Sequence, residues 1–461
     1  MPRPPLDSSR LTLLLQSRGA MASRDLRDAL RVSPATLSRL MSQVSPALER
    51  IGSARSSRYA LRRTMRNFGR QWPVYRLDET GRPHLRGELR ALHGGFRFAS
   101  TEPIPDWLKR AYPDGLFSGL PFFLQDLRPQ GYVGRAIARE VAPRLGTPAD
   151  LRLWHDDDAL AYFLTDGSDL PGDLVVGDGS LERALREAEK LPQSTLADAD
   201  RNREYQERAA AAQRGEWAGS SAGGEQPKFL ATVRRAGGRL QSVLVKFSAD
   251  DASPVSRRWA DLLACEHLAA NLLGARRIPC SVTELLAAGG RSFLEVSRFD
   301  RIGGAGRRGV LTLGTIEDAF LEQSPPDWVA SSHRLSEAGW LLTEDARTLR
   351  WLWCFGDLIA NSDMHRANAS CWFDNDLPFR LTPAYDMLPM LYAPGTQGDL
   401  GERTFAPRPP LAGVSDVWSD AATAALAFWE QVSTAATISD PFQAIARRNG
   451  ETVQRLIDRF V

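Results

Sequence analysis

Cysteine is scarce in this 461-residue chain. Only Cys265, Cys280, Cys354 and Cys371 occur, and no two are spaced as Cys-x-x-Cys. Each has apolar neighbours, which favours buried free thiols over disulfides or a cysteine-built metal site. No stretch approaches the roughly eighteen continuous apolar residues of a membrane span. The first residues, MPRPPLDSSRLTLLLQSRGA, have too short an apolar core for a signal peptide, so a cytoplasmic protein with no membrane partner is expected. Internal repeats and long low-complexity linkers are absent, as is the Walker pattern Gly-x-x-x-x-Gly-Lys-Ser/Thr. What remains is an ordinary globular composition, 43% hydrophobic and 25% charged, with length for two or three domains.

The net charge is only +2, but it is unevenly spread. Residues 1–70 hold fourteen Arg, no Lys and four acids, so this segment reads as a separate electrostatic object. Leu11, Leu14 and Leu15 predict one short helix, and Leu26, Ala29 and Leu30 a second. In RVSPATLSRLMSQV, Ser33 can cap a third helix with Pro34 in its first turn, and Leu37, Leu40, Met41 and Val44 fall on one face. LERIGSARSSRYALRR then reads as a hairpin with an Arg-rich tip. Three helices and a wing predict a winged helix-turn-helix over residues 1–66. Thr36, Ser38 and Arg39 on the third helix, with Arg55 and Arg58 in the wing, are its candidate contacts to double-stranded DNA.

After residue 66, QWPVYRLDETGRPHLRGEL and LHGGFRFAS predict strands with Gly-containing turns. FFLQDLRPQGYVGRAIAREVAP predicts a turn entering a helix, and residues 181–215 read as helical and exposed. In WAGSSAGGEQPKFLATV, the small residues let backbone N–H groups approach an anion, although a surface turn would look the same. KFLATV and LQSVLVKFS follow as a hairpin, with Lys246 placed to bury its stem. A buried ammonium needs a partner, and Glu266 in RWADLLACEHLAANLL is the candidate.

In FGDLIANSDMHRANASCWFDNDLPFRLTPAYDM an apolar helix delivers a polar loop, and short strands on either side of DNDL return Asp386 to it. Asp363 and Asn368 have the D-x-x-x-x-N spacing with which phosphoryl-transfer enzymes place a base and a magnesium ligand, and a later Asp completes the set.

Together, SSAGGEQPKF, VKFS, LEVSRFDR, NSDMHRANAS and LTPAYDM resemble the HipA family of serine/threonine protein kinases, toxins of bacterial toxin–antitoxin systems. The added amino-terminal module is most similar to the YjjJ-type members. The likeness spans residues 67–461 and implies a two-lobed, protein-kinase-like α+β fold, with a β-rich lobe over 67–300 and a mainly helical lobe over 301–461. It implies ATP and Mg2+ as cofactors, Asp363 as catalytic base, and Asn368 and Asp386 as metal ligands. The nucleotide would meet Ala222, Gly223, Gly224, Lys228, Lys246, His365 and Tyr385, with Glu295, Val296 and Ser297 as the adenine hinge, supported by Arg298, Phe299 and Asp300. Ser220 matches the family's autophosphorylated serine. The loop has one more residue before Lys228 than the common family pattern, and Ser221 stands beside Ser220, so either can be the modified hydroxyl. The expected acceptor is a Ser or Thr of a cellular protein. Family members commonly use a separate DNA-binding antitoxin, and the fused module puts that need in doubt. A small-molecule phosphotransferase and a nucleotide-sensing transcriptional regulator are the alternative readings.

Overall fold

The computed structural model describes residues 8–52, 57–103, 105–213, 226–374, 376–395 and 398–460. Helices Ser8–Arg18, Ser23–Leu30 and Pro34–Gln43 enclose a small core of Leu11, Leu15, Leu26, Leu30, Leu37 and Leu40. The Ser33 side chain accepts a hydrogen bond from the Thr36 amide (3.2 Å) and Pro34 opens the third helix, as its sequence predicts. Met41 and Val44 are only half-buried and Ala29 is exposed, so the apolar stripe is narrower than the spacing suggests. The hairpin strands Leu48–Ile51 and Arg58–Leu61 form, and a third strand, Met21–Ala22, joins them with Arg58–Leu61 in the centre.

This amino-terminal unit is riveted to the neighbouring sheet. Beyond Leu61 the chain pairs directly with that sheet: His93 N–H donates to the Leu61 carbonyl and Arg63 N–H to that of Ala91. Glu49, almost fully buried, accepts from Arg62 (2.6 Å), Arg90 (2.6 Å) and Arg97 (2.5 Å), the last two on the neighbouring sheet. Arg63 grips Asp157 with both terminal nitrogens, and Arg66 pairs with Asp158. Three of the amino-terminal arginines are therefore engaged in structure, and the segment is less separate electrostatically than its composition implies.

Among the described residues between 67 and 300 stand two five-stranded sheets. The first is antiparallel, in the order Leu116–Phe117, Gly95–Ser100, Pro83–Leu92, Gln71–Leu77, Leu174–Val176. Helices Gly131–Leu145 and Asp156–Asp166 contribute to the main core beside it. The second runs Thr283–Ala288, Arg291–Ser297, Leu240–Phe247, Lys228–Arg234, Leu196–Ala197. The region read as helical and exposed over 181–215 is helical in its described part, as Asp178–Ser194 and Arg201–Gln213 with the short edge strand between them. The second helix is not exposed throughout: Tyr205, Ala209 and Ala212 bury against Phe229, Val233, Val245, Phe247 and Phe293. On the other face of the sheet lies Pro254–Ala275, capped by Ser253.

The remainder is mainly helical: Leu313–Phe320, Trp328–Glu337, Thr343–Leu358, Trp418–Thr434 and Asp440–Phe460 share the main apolar core. Cys265, Cys354 and Cys371 are buried and Cys280 is half-buried, all as free thiols. Among the described residues no helix is long and apolar enough to cross a membrane.

Candidate functional site

Strand alternation decides where Lys246 points. Val243, Val245 and Phe247 face helix Arg201–Gln213, so Leu244 and Lys246 face Pro254–Ala275. That helix presents Glu266, and Lys246 Nζ lies 2.7 Å from both Glu266 carboxylate oxygens, with the two residues 4% and 3% exposed. The ammonium also lies 2.5 Å from Asp386 Oδ1. Lys228 is the direct cross-strand neighbour of Lys246, and its charge acts on both carboxylates.

Burial alone would discharge such groups. For Lys246, Asp386 and Glu266 more than offset that burial and hold the ammonium above its ordinary value. Burial likewise works against a charged Asp386, but Lys246, with help from Lys228, keeps its carboxyl below the ordinary range. Glu266 goes the other way: burial dominates, and its carboxyl is pushed up despite Lys246.

The polar loop begins where helix Thr343–Leu358 ends. Ala360 takes a left-handed conformation (φ 62°), and the Asn361 amide closes the turn on the Gly356 carbonyl (2.8 Å). Asn361, 5% exposed, then ties two segments together: its Oδ1 accepts from the Asp363 amide (3.1 Å) and its Nδ2 donates to the Asp386 carbonyl (3.1 Å). Asp386 itself is left-handed (φ 54°). Asn368 Nδ2 donates back to the Asp363 carbonyl (2.7 Å), so the five-residue spacing closes the loop on itself. Asp363 is half exposed, its Oδ1 3.8 Å from His365 Nε2. The Ala367 amide donates to His365 Nδ1 (3.2 Å), which assigns the ring proton to Nε2. Tyr385 donates to the Ala367 carbonyl (2.8 Å) and bonds Ser370 Oγ (2.7 Å), holding the loop from behind.

The structure thus brings Lys228, Lys246, Asp363, His365, Asn368, Tyr385 and Asp386 into one neighbourhood. Glu295, Val296 and Ser297 lie on an inner strand flanked on both sides. The Glu295 carboxylate turns away, receiving Arg201, Arg235 and Tyr205, and the Ser297 amide donates to the Val282 carbonyl (2.8 Å). Arg298 and Arg301 clasp Asp300, which also accepts from the Gly172 amide (2.9 Å), so SRFDR fastens this sheet to the preceding one. Phe299 packs near Tyr385 and Trp372. Ser220, Ser221, Ala222, Gly223 and Gly224 lie outside the described residues, as does Arg55. At the amino terminus Ser38, Arg39 and Arg58 are exposed, whereas Thr36 is half-buried with its hydroxyl on Ser33 Oγ (3.0 Å).

Two features escaped sequence reading. Asn361 joins both acidic segments, and its only signal was a polar residue at the end of an apolar helix. The strand Ser370–Trp372 pairs with Val310–Thr312, while its link to residues 380–382 is limited to a bridge at Cys371 and Leu381 and two flanking hydrogen bonds.

Among the described residues no group of three or more His, Cys, Asp or Glu could hold a metal. Asp386 Oδ2 and Asn368 Oδ1 accept no hydrogen bond from the described residues, so two oxygens are available. That set suits magnesium, which keeps several waters and binds substrate phosphates through few protein ligands.

Residues 68–185 match the model of the YjjJ-like toxin middle domain, and residues 220–456 that of the HipA-like C-terminal domain. Toxin YjjJ of Escherichia coli K12 is 36% identical over 455 residues, covering 98% of each chain. Among solved structures, a chain of the Shewanella oneidensis MR-1 toxin–antitoxin complex of HipA, HipB and operator DNA aligns over 84% of this chain and 97% of its own. Its TM-score is 0.51 at 15% identity, a likeness of α+β fold. By these matches the chain belongs to the family of HipA-like kinases, within its YjjJ-like toxins.

Proposed function

We propose that this protein transfers the γ-phosphoryl group of ATP to a Ser or Thr hydroxyl of a cellular protein, within a cytoplasmic two-lobed kinase architecture. The observation that carries the reading is the Lys246 ammonium held between Glu266 and Asp386, with Asn361 joining Asp386 to the Asp363 loop. Lys246 and Lys228 supply positive charge for the nucleotide phosphates, and His365 and Tyr385 border them. Of the expected adenine hinge, Glu295 and Val296 are paired on both sides within the sheet, so the Ser297 end of the strand would meet adenine. Asn368 and Asp386 would hold Mg2+, which neutralises charge developing on the phosphoryl oxygens. Asp363 orients the acceptor hydroxyl and takes its proton as the new O–P bond forms and the bond to the β-phosphate breaks.

Autophosphorylation of Ser220, or of Ser221, is part of the same proposal. A phosphate there would add nearly two negative charges, and repulsion from those of ATP would weaken nucleotide binding. Ala222, Gly223 and Gly224 would otherwise turn their N–H groups to the nucleotide. The amino-terminal unit, with its capped third helix and exposed Arg39 and Arg58, is proposed to bind duplex DNA, so that a separate antitoxin is not required for DNA contact.

The test is mass spectrometry of phosphosites in cells making either the protein or its Asp363→Asn variant. New Ser/Thr phosphosites on proteins, including one at Ser220 or Ser221, should appear with the wild type alone. Identical phosphosites from both, or phosphorylated small molecules without phosphoprotein, would overturn the assignment.

A further inference from the structure

A cleft of about 730 Å³ opens on the side of Asp363 formed by the helical region. The polar loop forms one wall, and residues 404–408 form another. This second wall is an extended strap. Among the described residues, backbone groups of 401–407 make no hydrogen bond to the rest of the chain. The strap is nevertheless held in place. Arg408 N–H donates to Asp357 Oδ2 (2.7 Å), the Arg408 guanidinium stacks on Trp353 (4.7 Å), and Phe405 packs edge-on to Trp429 (6.0 Å). A fixed extended segment with open backbone groups is the template on which another extended segment can align.

Charge narrows the choice of guest. Three carboxylates line the cleft, those of Asp327, Asp357 and Asp363, against the single Arg408 guanidinium. Asp357 is committed to the strap, and Asp363 to the proposed chemistry. Asp327 remains. Its Oδ1 caps helix Trp328–Glu337 by accepting from the Ala330 amide (2.9 Å), and the adjacent Trp328 indole donates to the His365 carbonyl (3.2 Å). The Asp327 carboxylate is thus fixed one residue from a direct contact with the Asp363 loop.

We infer that this cleft binds the acceptor as an extended polypeptide segment along residues 404–407, with a Lys or Arg near the acceptor hydroxyl facing Asp327. The inference rests on the kinase reading above and adds to it the class of acceptor. A basic side chain suits a site with excess carboxylate, and a partly desolvated ion pair discriminates more strongly than one in open water.

The experiment uses the full-length protein with ATP, Mg2+ and a degenerate peptide library centred on Ser or Thr. Phosphate incorporation is read at each flanking position, and autophosphorylation is followed in parallel. Lys and Arg should be enriched several-fold over Gln and Glu at one or more positions. Asp327→Asn retains a good capping residue and should flatten that enrichment, seen as a several-fold fall in the ratio of kcat/KM for Lys-flanked against Gln-flanked peptides. Helical content and thermal midpoint of the variant check that the cap survives. If that check fails, Lys-flanked and Glu-flanked peptides compared on the wild type still decide the matter, since equal rates overturn the proposal. Autophosphorylation without any peptide phosphorylation would overturn the extended-acceptor inference and leave the kinase reading standing. An enzyme with neither activity would remove both.

Discussion

Asn361 Nδ2 donates to the backbone carbonyl of Asp386 at 3.1 Å, across 25 residues of sequence. With its Oδ1 on the Asp363 amide, one buried amide sets the position of both acidic residues. Asn361→Asp keeps an acceptor for Asp363 but cannot donate to Asp386, whereas Asn361→Ala loses both bonds. Each should cost about 1–3 kcal/mol, the penalty for a buried polar group left unpaired. Chemical denaturation measures that loss. Calorimetry should show Mg-ATP binding weakened in Asn361→Asp, because the Asp386 segment is the one released; unaltered binding would separate Asn361 from the site.

Both oxygens of the buried Glu266 carboxylate bond the Lys246 ammonium, which bonds Asp386 as well. Removing that ammonium in Lys246→Met leaves buried negative charge without its nearest compensation, a loss of about 3–5 kcal/mol at neutral pH. The pH dependence carries the sign. In the wild type the raised Lys246 value means its contribution is complete below the ordinary 10.5 and fades only as pH climbs toward the higher folded value. In the variant, Glu266 and Asp386 should both titrate high, so stability should rise as pH is lowered from about 8 to about 5. A flat profile over that range would contradict the geometry.

Glu49 with its three arginines makes a second pH test at the amino-terminal junction. Burial opposes its ionisation, but Arg90, Arg62 and Arg97 outweigh it and the carboxyl stays below the ordinary 4.5. The stabilisation is therefore present above 4.5 and lost as pH falls through the lower folded value. Glu49→Gln should be less stable than wild type near neutral pH, with the gap closing in acid. Thermal melts from about pH 7 down to about pH 3 measure it.

The junction also shapes any test of DNA binding. Deleting residues 1–66 would strip Arg90 and Arg97 of Glu49, and Asp157 and Asp158 of their arginines, so truncation confounds DNA contact with folding. Point changes avoid this. Arg39→Ala with Arg58→Ala should weaken duplex binding and reduce the slope of log K against log salt by about 0.9 for each phosphate that is no longer neutralised. Fluorescence anisotropy at several salt concentrations reads both effects, and an unchanged slope would remove these residues from the interface.

Much of this molecule is legible in local pattern. The Ser33 cap with Pro34, the i, i+3, i+4 leucines, the alternation that buries Val243, Val245 and Phe247, and the D-x-x-x-x-N spacing are short-range properties, because helix and strand periods act on neighbours in sequence. Lys246 and Glu266 could be paired in advance since a buried ammonium requires a carboxylate and the next helix offered one. The closed fold was needed to join Asp363 to Asp386 through Asn361, to turn Glu295 into an arginine cluster, and to place Arg62, Arg63 and Arg66 at a junction rather than on an open surface. Those outcomes depend on pairs of residues that are distant in the chain. An Arg looks the same in sequence whether its carboxylate lies across a sheet or its phosphate lies in solution, and burial chooses between them only after the chain has closed around it.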